Sequence, residues 1–460
     1  MAFAALTALV WYLAVAGLPF FSEDFTHLAE GAQLQSLGAA LDPRLEPLRP
    51  FQHLAYYLLG HAADPDPAWL RALAALLHVG SVVLVLVLAR ALGAGSTCSR
   101  IAALGFLFFP ALQGHVWGAA ISGPLRAFFV LAALVSFVLA ERGSRPWTCI
   151  AFLLALGAHE SAIVLAALCV LWIWTQGARE RLRDPSFVFV MLVALAHALT
   201  LAFLRPQRHH GLKSFASLPA NLARASLAFV PECVRNACVE ALRGESGTAL
   251  FALACAFELA FGLIFLYWIW RASPALRFVL LALVADLVLP VLSVGFVERY
   301  AYLGGAFAAC ALALWVAARP HAIRPWIAAL VVVVWGFDSL VDVREARQSG
   351  EIERQVLDQL RLERAAHGAQ AIVLVDLPDM AGREHDLPLF NWGIEEMLRR
   401  AHIDGPWILA RTRGFHTNSD VPLVAVGAFE EWRRQGLFVL EWDGEQGRLV
   451  SKAAASSQSR

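Results

Sequence analysis

Apolar residues run through the chain in long stretches, at 2–20, 70–92, 101–117, 124–140, 185–204, 249–270, 276–297, 300–318 and 325–340. Each is close to the roughly twenty residues an α-helix needs to cross a bilayer. One further stretch resists this pattern. From Trp147 to Trp174 the chain is apolar except at "GAHES", 157–161, where a glycine, a histidine and a glutamate intrude. It reads either as one long helix with a buried carboxylate or as two short helices meeting at Glu160.

Arginine placement separates these readings, because short cytoplasmic loops collect positive charge. Take a cytoplasmic amino terminus and two crossings within 147–174. The loops holding Arg90 and Arg100, Arg142 and Arg145, Arg179, Arg181 and Arg183, Arg271 and Arg277, and Arg319 and Arg324 then all fall inside. A single crossing moves the last three groups outside. The pair predicts an all-α bundle of about eleven transmembrane helices with an exterior carboxyl terminus.

Beyond Leu340 the pattern turns soluble. "VREARQSGEIERQVLDQLRLERAAHG" is a charged helical pattern, "AIVLVDLPD" a buried strand and turn, "LFNWGIEEMLRRAH" an amphipathic helix, and "PLVAVGAFEEW" and "GLFVLEW" are strand-like. The expected division is a transmembrane part, 1–341, with exterior loops at about 21–69 and 206–248; a small exterior α/β domain, 342–450; and a disordered tail, 451–460, without core-forming residues. Arg205, Arg208, His209, His210 and Lys213 begin the second loop, which is expected to lie along the membrane surface and meet lipid phosphate.

Composition agrees with the membrane reading, at 59% hydrophobic against 16% charged. Lys plus Arg and Asp plus Glu are 37 each, so no basic field draws nucleic acid. The seven cysteines include no CxxC pair, which argues against zinc or redox chemistry. "GESGT" lacks the P-loop lysine and "HESAI" the second histidine of a zincin. Residues 2–20 lack a basic n-region and a small-residue cleavage site, so they are expected to remain as a helix.

The topology gathers scattered polar residues on the outer face: Glu23 and Asp24 in "PFFSEDFTHL", Arg49 in the first large loop, His115 and Arg126 beside the third and fourth spans, His159 and Glu160 at the apex of the short pair, and Glu298 and Arg299 in "GFVERYAYL". Charges near membrane depth are costly, so such a cluster points to a functional cleft. Each has a structural alternative: solvated loop for Glu23 and Asp24, ion pairing for Glu160 with His159 or Arg126, and helix fastening for Glu298 with Arg299. Asp286 is expected to be hydrogen-bonded within the bundle, and His53, His61 and His78 to be structural.

The acidic pair, "LRPFQHLAYYLLG", "LRALAALLHVGSVVLVLVLARAL", "WGAAISGPLRAFFVLAALVSFVLA", "GAHESAIVL" and "ERYAYL" occur in an order similar to GT-C-type glycosyltransferases. Over about residues 1–340 the chain resembles the membrane part of the O-mannosyltransferases that carry tetratricopeptide repeats, and their bacterial relatives. That resemblance implies a GT-C-like fold in a bacterial inner membrane with the 342–450 domain periplasmic. It also implies inverting transfer of a sugar from a polyprenyl-phosphate donor to an acceptor on the outer face, whether protein, lipid or glycan. The family's acidic motif maps onto Glu23 and Asp24, making Asp24 the expected base and Glu23 the residue that orients the acceptor or binds a metal. Arg299 is expected to hold the donor phosphate, with Arg126 and the bases at 205–213 in reserve. Glu160, His159, Glu298, His115 and Arg49 would line the cleft. A divalent cation is compatible with this chemistry, but nothing in the sequence requires one. This chain reads "SGPLR" where relatives commonly have "SGR" and an acidic residue, His159 where a lysine is frequent, and no tetratricopeptide repeats. The other function weighed is a transporter or lipid flippase with an outward-facing polar cavity; polar groups on one face and no visible inverted repeat speak against it.

Overall fold

The computed structural model describes residues 9–42, 49–109, 118–139, 145–204, 267–293, 301–318, 323–377, 394–410 and 431–451, apart from single positions and short stretches inside these ranges, together with Leu45 and residues 380–381 and 387–388. The expected loop at 206–248, most of the span at 249–270 and the tail beyond 451 lie outside them. The helices are α1 (Glu23–Gln33), α2 (Pro50–Gly60), α3 (Ala68–Ala91), α4 (Ser96–Leu107), α5 (Ser122–Val138), α6 (Arg145–Ala158), α7 (Val164–Gln176), α8 (Pro185–Leu204), α9 (Pro274–Ser293), α10 (Tyr302–Ala318) and α11 (Ile323–His367). The strands are β1 (Ile372–Val375), β2 (Met380–Ala381) and β3 (Leu387–Pro388), then β4 (Trp407–Ala410), β5 (Phe438–Asp443) and β6 (Arg448–Ser451), with α12 (Ile394–Arg400) preceding β4.

Among the described residues, α3 and α11 are long and apolar enough to cross a membrane, and Ser122–Val138, Pro146–Ala158, Glu160–Gln176, Pro185–Leu201 and Tyr302–Ala318 are shorter apolar helices. At 1.5 Å per residue the 24 residues of α3 extend about 36 Å, more than a hydrocarbon core. Large apolar side chains stay exposed in helical stripes, Val188, Met191, Leu192, Leu195 and Leu199 on α8 and Trp326, Leu330, Val333, Phe337 and Leu340 on α11. Trp69, Trp147, Trp174 and Trp270 are exposed as well. Water-facing surfaces rarely carry so continuous an apolar display, whereas lipid demands it.

The chain does reverse at "GAHES". Helix α6 ends at Ala158, His159 is extended at φ −163° and ψ 134°, and a short 3-10 turn over Glu160–Ile163 leads into α7. Thr148, near the start of α6, donates to Ser136 Oγ at 3.1 Å, and Trp172, near the end of α7, meets Phe137 edge-on at 5.6 Å. Both outer ends therefore return to one point on α5. The turn is closed by the backbone amide of Ser161 donating to His159 Nδ1 at 3.1 Å.

Inside the bundle, Val85, Leu88, Phe106, Leu131, Leu134, Leu165 and Phe307 belong to one apolar core. Because lipid supplies no hydrophobic contrast, polar side chains join the helices. Tyr302 of α10 and His78 of α3 are 2.6 Å apart, His78 Nε2 faces the Leu107 carbonyl at 3.3 Å, and Ser339 of α11 donates to the Phe108 carbonyl at 3.1 Å. His78 is thus structural, and His61 turns back onto the Tyr57 carbonyl of its own helix.

The division expected at 341/342 falls within α11, a single helix of 45 residues. Its exposed apolar stripe ends at Leu340 and its charged half continues outward to the sheet. That sheet has the order β4-β1-β5-β6, with β1 parallel to β4 and β5 and β6 antiparallel at the edge. The central "IVLV" strand is buried on both faces, as parallel strands are. Ile372 and Leu374 face Leu360, Met397, Leu398 and Leu440, while Val373 and Val375 face Ala410 and Val439. The first of these clusters also contains Phe21, Phe25, Leu28, Tyr56 and Leu70, so the core of the small domain is continuous with one end of the bundle.

Candidate functional site

Helix α1 begins directly after the first apolar run and carries Glu23 and Asp24 in its opening turn. The positive end of a helix favours carboxylates there. Asp24 Oδ2 reaches back to accept from the Phe21 amide at 3.0 Å, as an acidic residue in a capping box does. Its Oδ1 accepts from the Tyr56 hydroxyl at 2.6 Å. Asp24 and Tyr56 are both buried, under Phe21, Phe25 and Leu28. Arg71, buried in the first turn of α3, donates to the Leu18 carbonyl and feels the charges of Asp24 and Glu353. A buried cation and a buried carboxylate thus act on each other electrostatically at this end of the bundle.

Helix α2 holds the tyrosine. Pro50 at its start keeps Arg49 out of helical geometry, at φ −136° and ψ 65°, so the helix begins there and Arg49 projects from its end. Arg49, Gln52, His53 and Tyr56 then recur at helical spacing on one face. Gln52 Nε2 meets His27 Nε2 at 3.2 Å, and the His27 ring lies 5.1 Å from that of Tyr56. Helices α1 and α2 cross where glycines face backbone: a Cβ on Gly31 would overlap the Tyr56 carbonyl, and one on Gly60 would lie 2.6 Å from the Ala32 nitrogen.

At the other end of this face, Arg49 grips Glu160 with both prongs, Nε to Oε2 at 3.0 Å and Nη2 to Oε1 at 2.8 Å. His159 Nδ1 lies 3.5 Å from Glu160 Oε2. The pair is half-buried, unlike Asp24. Arg49 and Tyr56 are seven residues apart, roughly 10 Å along the helix, so α2 spans two acidic centres drawn from residues 24 and 160.

Arg126, the reserve phosphate ligand, does not pair with Glu160, one of the structural alternatives; His159 and Arg49 face Glu160 instead. The Arg126 guanidinium, buried on α5, donates to Asp286 Oδ1 at 2.9 Å and Ser161 Oγ at 2.5 Å. This ties α5 to α9 and to the turn at 161, and gives Asp286 the hydrogen bond expected of it. Of the other expected residues, His115, Glu298, Arg299 and the bases at 205–213 lie outside the described residues, as does the Glu23 side chain. No group of three or more metal-ligating side chains occurs among the described residues.

Sequence reasoning missed Tyr56, Arg71 and Glu353. Arg71 carries a signal as an arginine at the start of the apolar run 70–92. Glu353 has a subtler signal: on the charged half of α11, beyond Leu340, the buried positions are Val343, Ala346, Ser349, Gly350, Glu353, Val356 and Leu360, a helical stripe on which it is the acidic member.

No protein-family model matches the chain, and no curated protein matches it. Among solved structures, the chain is similar to the crystal structure of ArnT from Cupriavidus metallidurans bound to undecaprenyl phosphate, at 14% identity and a TM-score of 0.46, covering 96% of this chain and 93% of that one. ArnT in the apo state is similar at 14% identity and a TM-score of 0.43, covering 97% and 93%. The single-particle cryo-EM structure of the arabinofuranosyltransferase AftD from Mycobacteria is similar at 16% identity and a TM-score of 0.42, covering 96% of this chain and 35% of that one.

Proposed function

We propose that this chain is a membrane glycosyltransferase that moves a sugar from a polyprenyl-phosphate donor to an acceptor on the outer face. The observation that carries the reading is the single helix face of α2, which joins Asp24 through Tyr56 to Glu160 through Arg49. The ordered motifs that resemble the GT-C-type family include these same residues, and lipid-facing stripes flank the bundle that holds them.

In this reading a single displacement inverts the anomeric carbon. The acceptor hydroxyl loses its proton to Asp24, the acceptor oxygen bonds to the anomeric carbon, and the phosphate leaves with the electron pair. Asp24 is buried, so the side chains around it, Tyr56 among them, must part for the acceptor to enter. Arg299 is the proposed phosphate ligand, with Arg49 lining the cleft and Arg126, which is bonded to Asp286, as the reserve. Glu23 would orient the acceptor, and His159, Glu160, His115 and Glu298 would complete the cleft. About eleven crossings from a cytoplasmic amino terminus would leave this cleft and the 342–450 domain on the periplasmic side of an inner membrane. Incubating reconstituted protein with a panel of polyprenyl-phosphate sugars and a membrane extract tests the reading; a panel left wholly unconsumed counts against it.

A further inference from the structure

Glu353 lies on the outward half of α11, beyond the apolar stripe, and has no exposed surface. Both of its carboxylate oxygens are without a hydrogen-bond partner among the described residues. Val343, Ala346 and Val356 on the same face of α11 share one apolar cluster with Phe21, Phe25, Leu70 and Tyr56, the hydrogen-bond partner of Asp24. The charged groups that act on Glu353 are Asp24 from α1, Arg71 from α3 and Arg354 from its own helix; Tyr56 and Asp66 face Arg71 from α2 and the turn before α3.

Two buried carboxylates around one buried guanidinium are neutral only when they carry one proton between them, and an uncompensated buried charge is expensive. Asp24 accepts two hydrogen bonds and is suited to be the ion; Glu353 accepts none and is suited to be the acid. Burial, and then the charge of Asp24, hold the Glu353 carboxyl well above the usual carboxylate range against the pull of Arg71 and Arg354.

We propose that Asp24 and Glu353 share one proton around Arg71, and that Glu353 is a positioning residue that takes over as the counter-ion of Arg71 whenever Asp24 becomes protonated. The catalytic half of this statement rests on the transferase reading. As the acceptor O–H bond breaks and its proton goes to Asp24, the Glu353 O–H proton leaves to exterior water, and the charge of the centre is unchanged.

The test uses the full-length protein in detergent and does not depend on activity. In infrared difference spectra, the carbonyl stretch of a protonated carboxylic acid is expected in wild type and lost in Glu353→Gln. It is also expected to be lost in Asp24→Asn, where Glu353 must ionise to pair with Arg71. In thermal unfolding each single variant is expected to keep a cooperative transition, while Asp24→Asn combined with Glu353→Gln loses more than the sum of the two because both of the buried carboxylates that act on Arg71 are then gone. Glu353→Met, which replaces an unpartnered acid with an apolar side chain, is expected to raise the midpoint. Additive losses in the double variant, or a carbonyl band that survives in Asp24→Asn, overturn the proposal even if the protein proves to be a transferase. Where donor turnover is measurable, Glu353→Gln is expected to lower kcat roughly tenfold with KM unchanged; an unchanged kcat and pH profile removes Glu353 from the reaction while leaving the transferase reading intact.

Discussion

Tyr56 donates its phenolic hydrogen to Asp24 at 2.6 Å, and this bond joins the first helix after the membrane entry to the helix that carries Arg49. Tyr56→Phe keeps the ring and removes the donor, leaving a buried carboxylate oxygen one partner short. A loss of about 1 to 3 kcal/mol is expected, seen as a lowered unfolding midpoint. An unchanged midpoint means that the bond is not made in the membrane-embedded protein.

The placement of Tyr56 depends on a glycine that touches no charged group. Gly31→Ala puts a Cβ onto the Tyr56 carbonyl and is expected to force α2 outward, at an overpacking cost of about 1 to 3 kcal/mol, of which better helix propensity returns up to about 1. Turnover should fall along with stability. Gly123→Ala, where a Cβ meets nothing within 4 Å, should stay within about 0.5 kcal/mol of wild type and serves as the comparison.

Arg49 and Glu160 form a half-buried fork, and such pairs contribute up to about 1 kcal/mol to folding. Arg49→Lys keeps the charge but not the two-pronged geometry. The unfolding midpoint should therefore barely move, while the KM for a polyprenyl-phosphate donor rises. A large drop in midpoint at constant KM would assign the fork to holding the turn at Glu160 rather than to substrate.

Arg126 and Asp286 present the opposite balance, because both are buried. Removing one partner strands the other charge at an expected cost of about 3 to 5 kcal/mol. Asp286→Asn and Arg126→Met should each accumulate poorly as folded protein, whereas Arg126→Met combined with Asp286→Leu should recover much of the loss. Size-exclusion profiles of the three variants in detergent measure this directly.

Much of the architecture was legible in the chain because its signal is local. Lipid-crossing helices declare themselves by hydropathy, and the reversal at Glu160 was visible as a glycine, a histidine and a glutamate within one apolar run. Asp24 was visible for the same reason, as a carboxylate at the edge of such a run. Its partners were not, since Tyr56 lies 32 residues away and hydrogen bonding across helices leaves no periodic trace. Arg126 was drawn to Asp286 rather than to Glu160, a choice decided by how α5 and α9 pack. The continuity of α11 was hidden as well, because its hydropathy changes abruptly at Leu340 while its backbone does not.

Donor turnover by wild type and by Asp24→Asn, both reconstituted and shown to be folded, tests the assignment of Asp24 as base most directly. A positioned general base contributes about 10²- to 10⁴-fold, so loss of turnover on that scale in Asp24→Asn is the expected result. Equal turnover by the two proteins would contradict it, and would leave Asp24 as the cap of α1 and the anchor of Tyr56 rather than the group that takes the acceptor's proton.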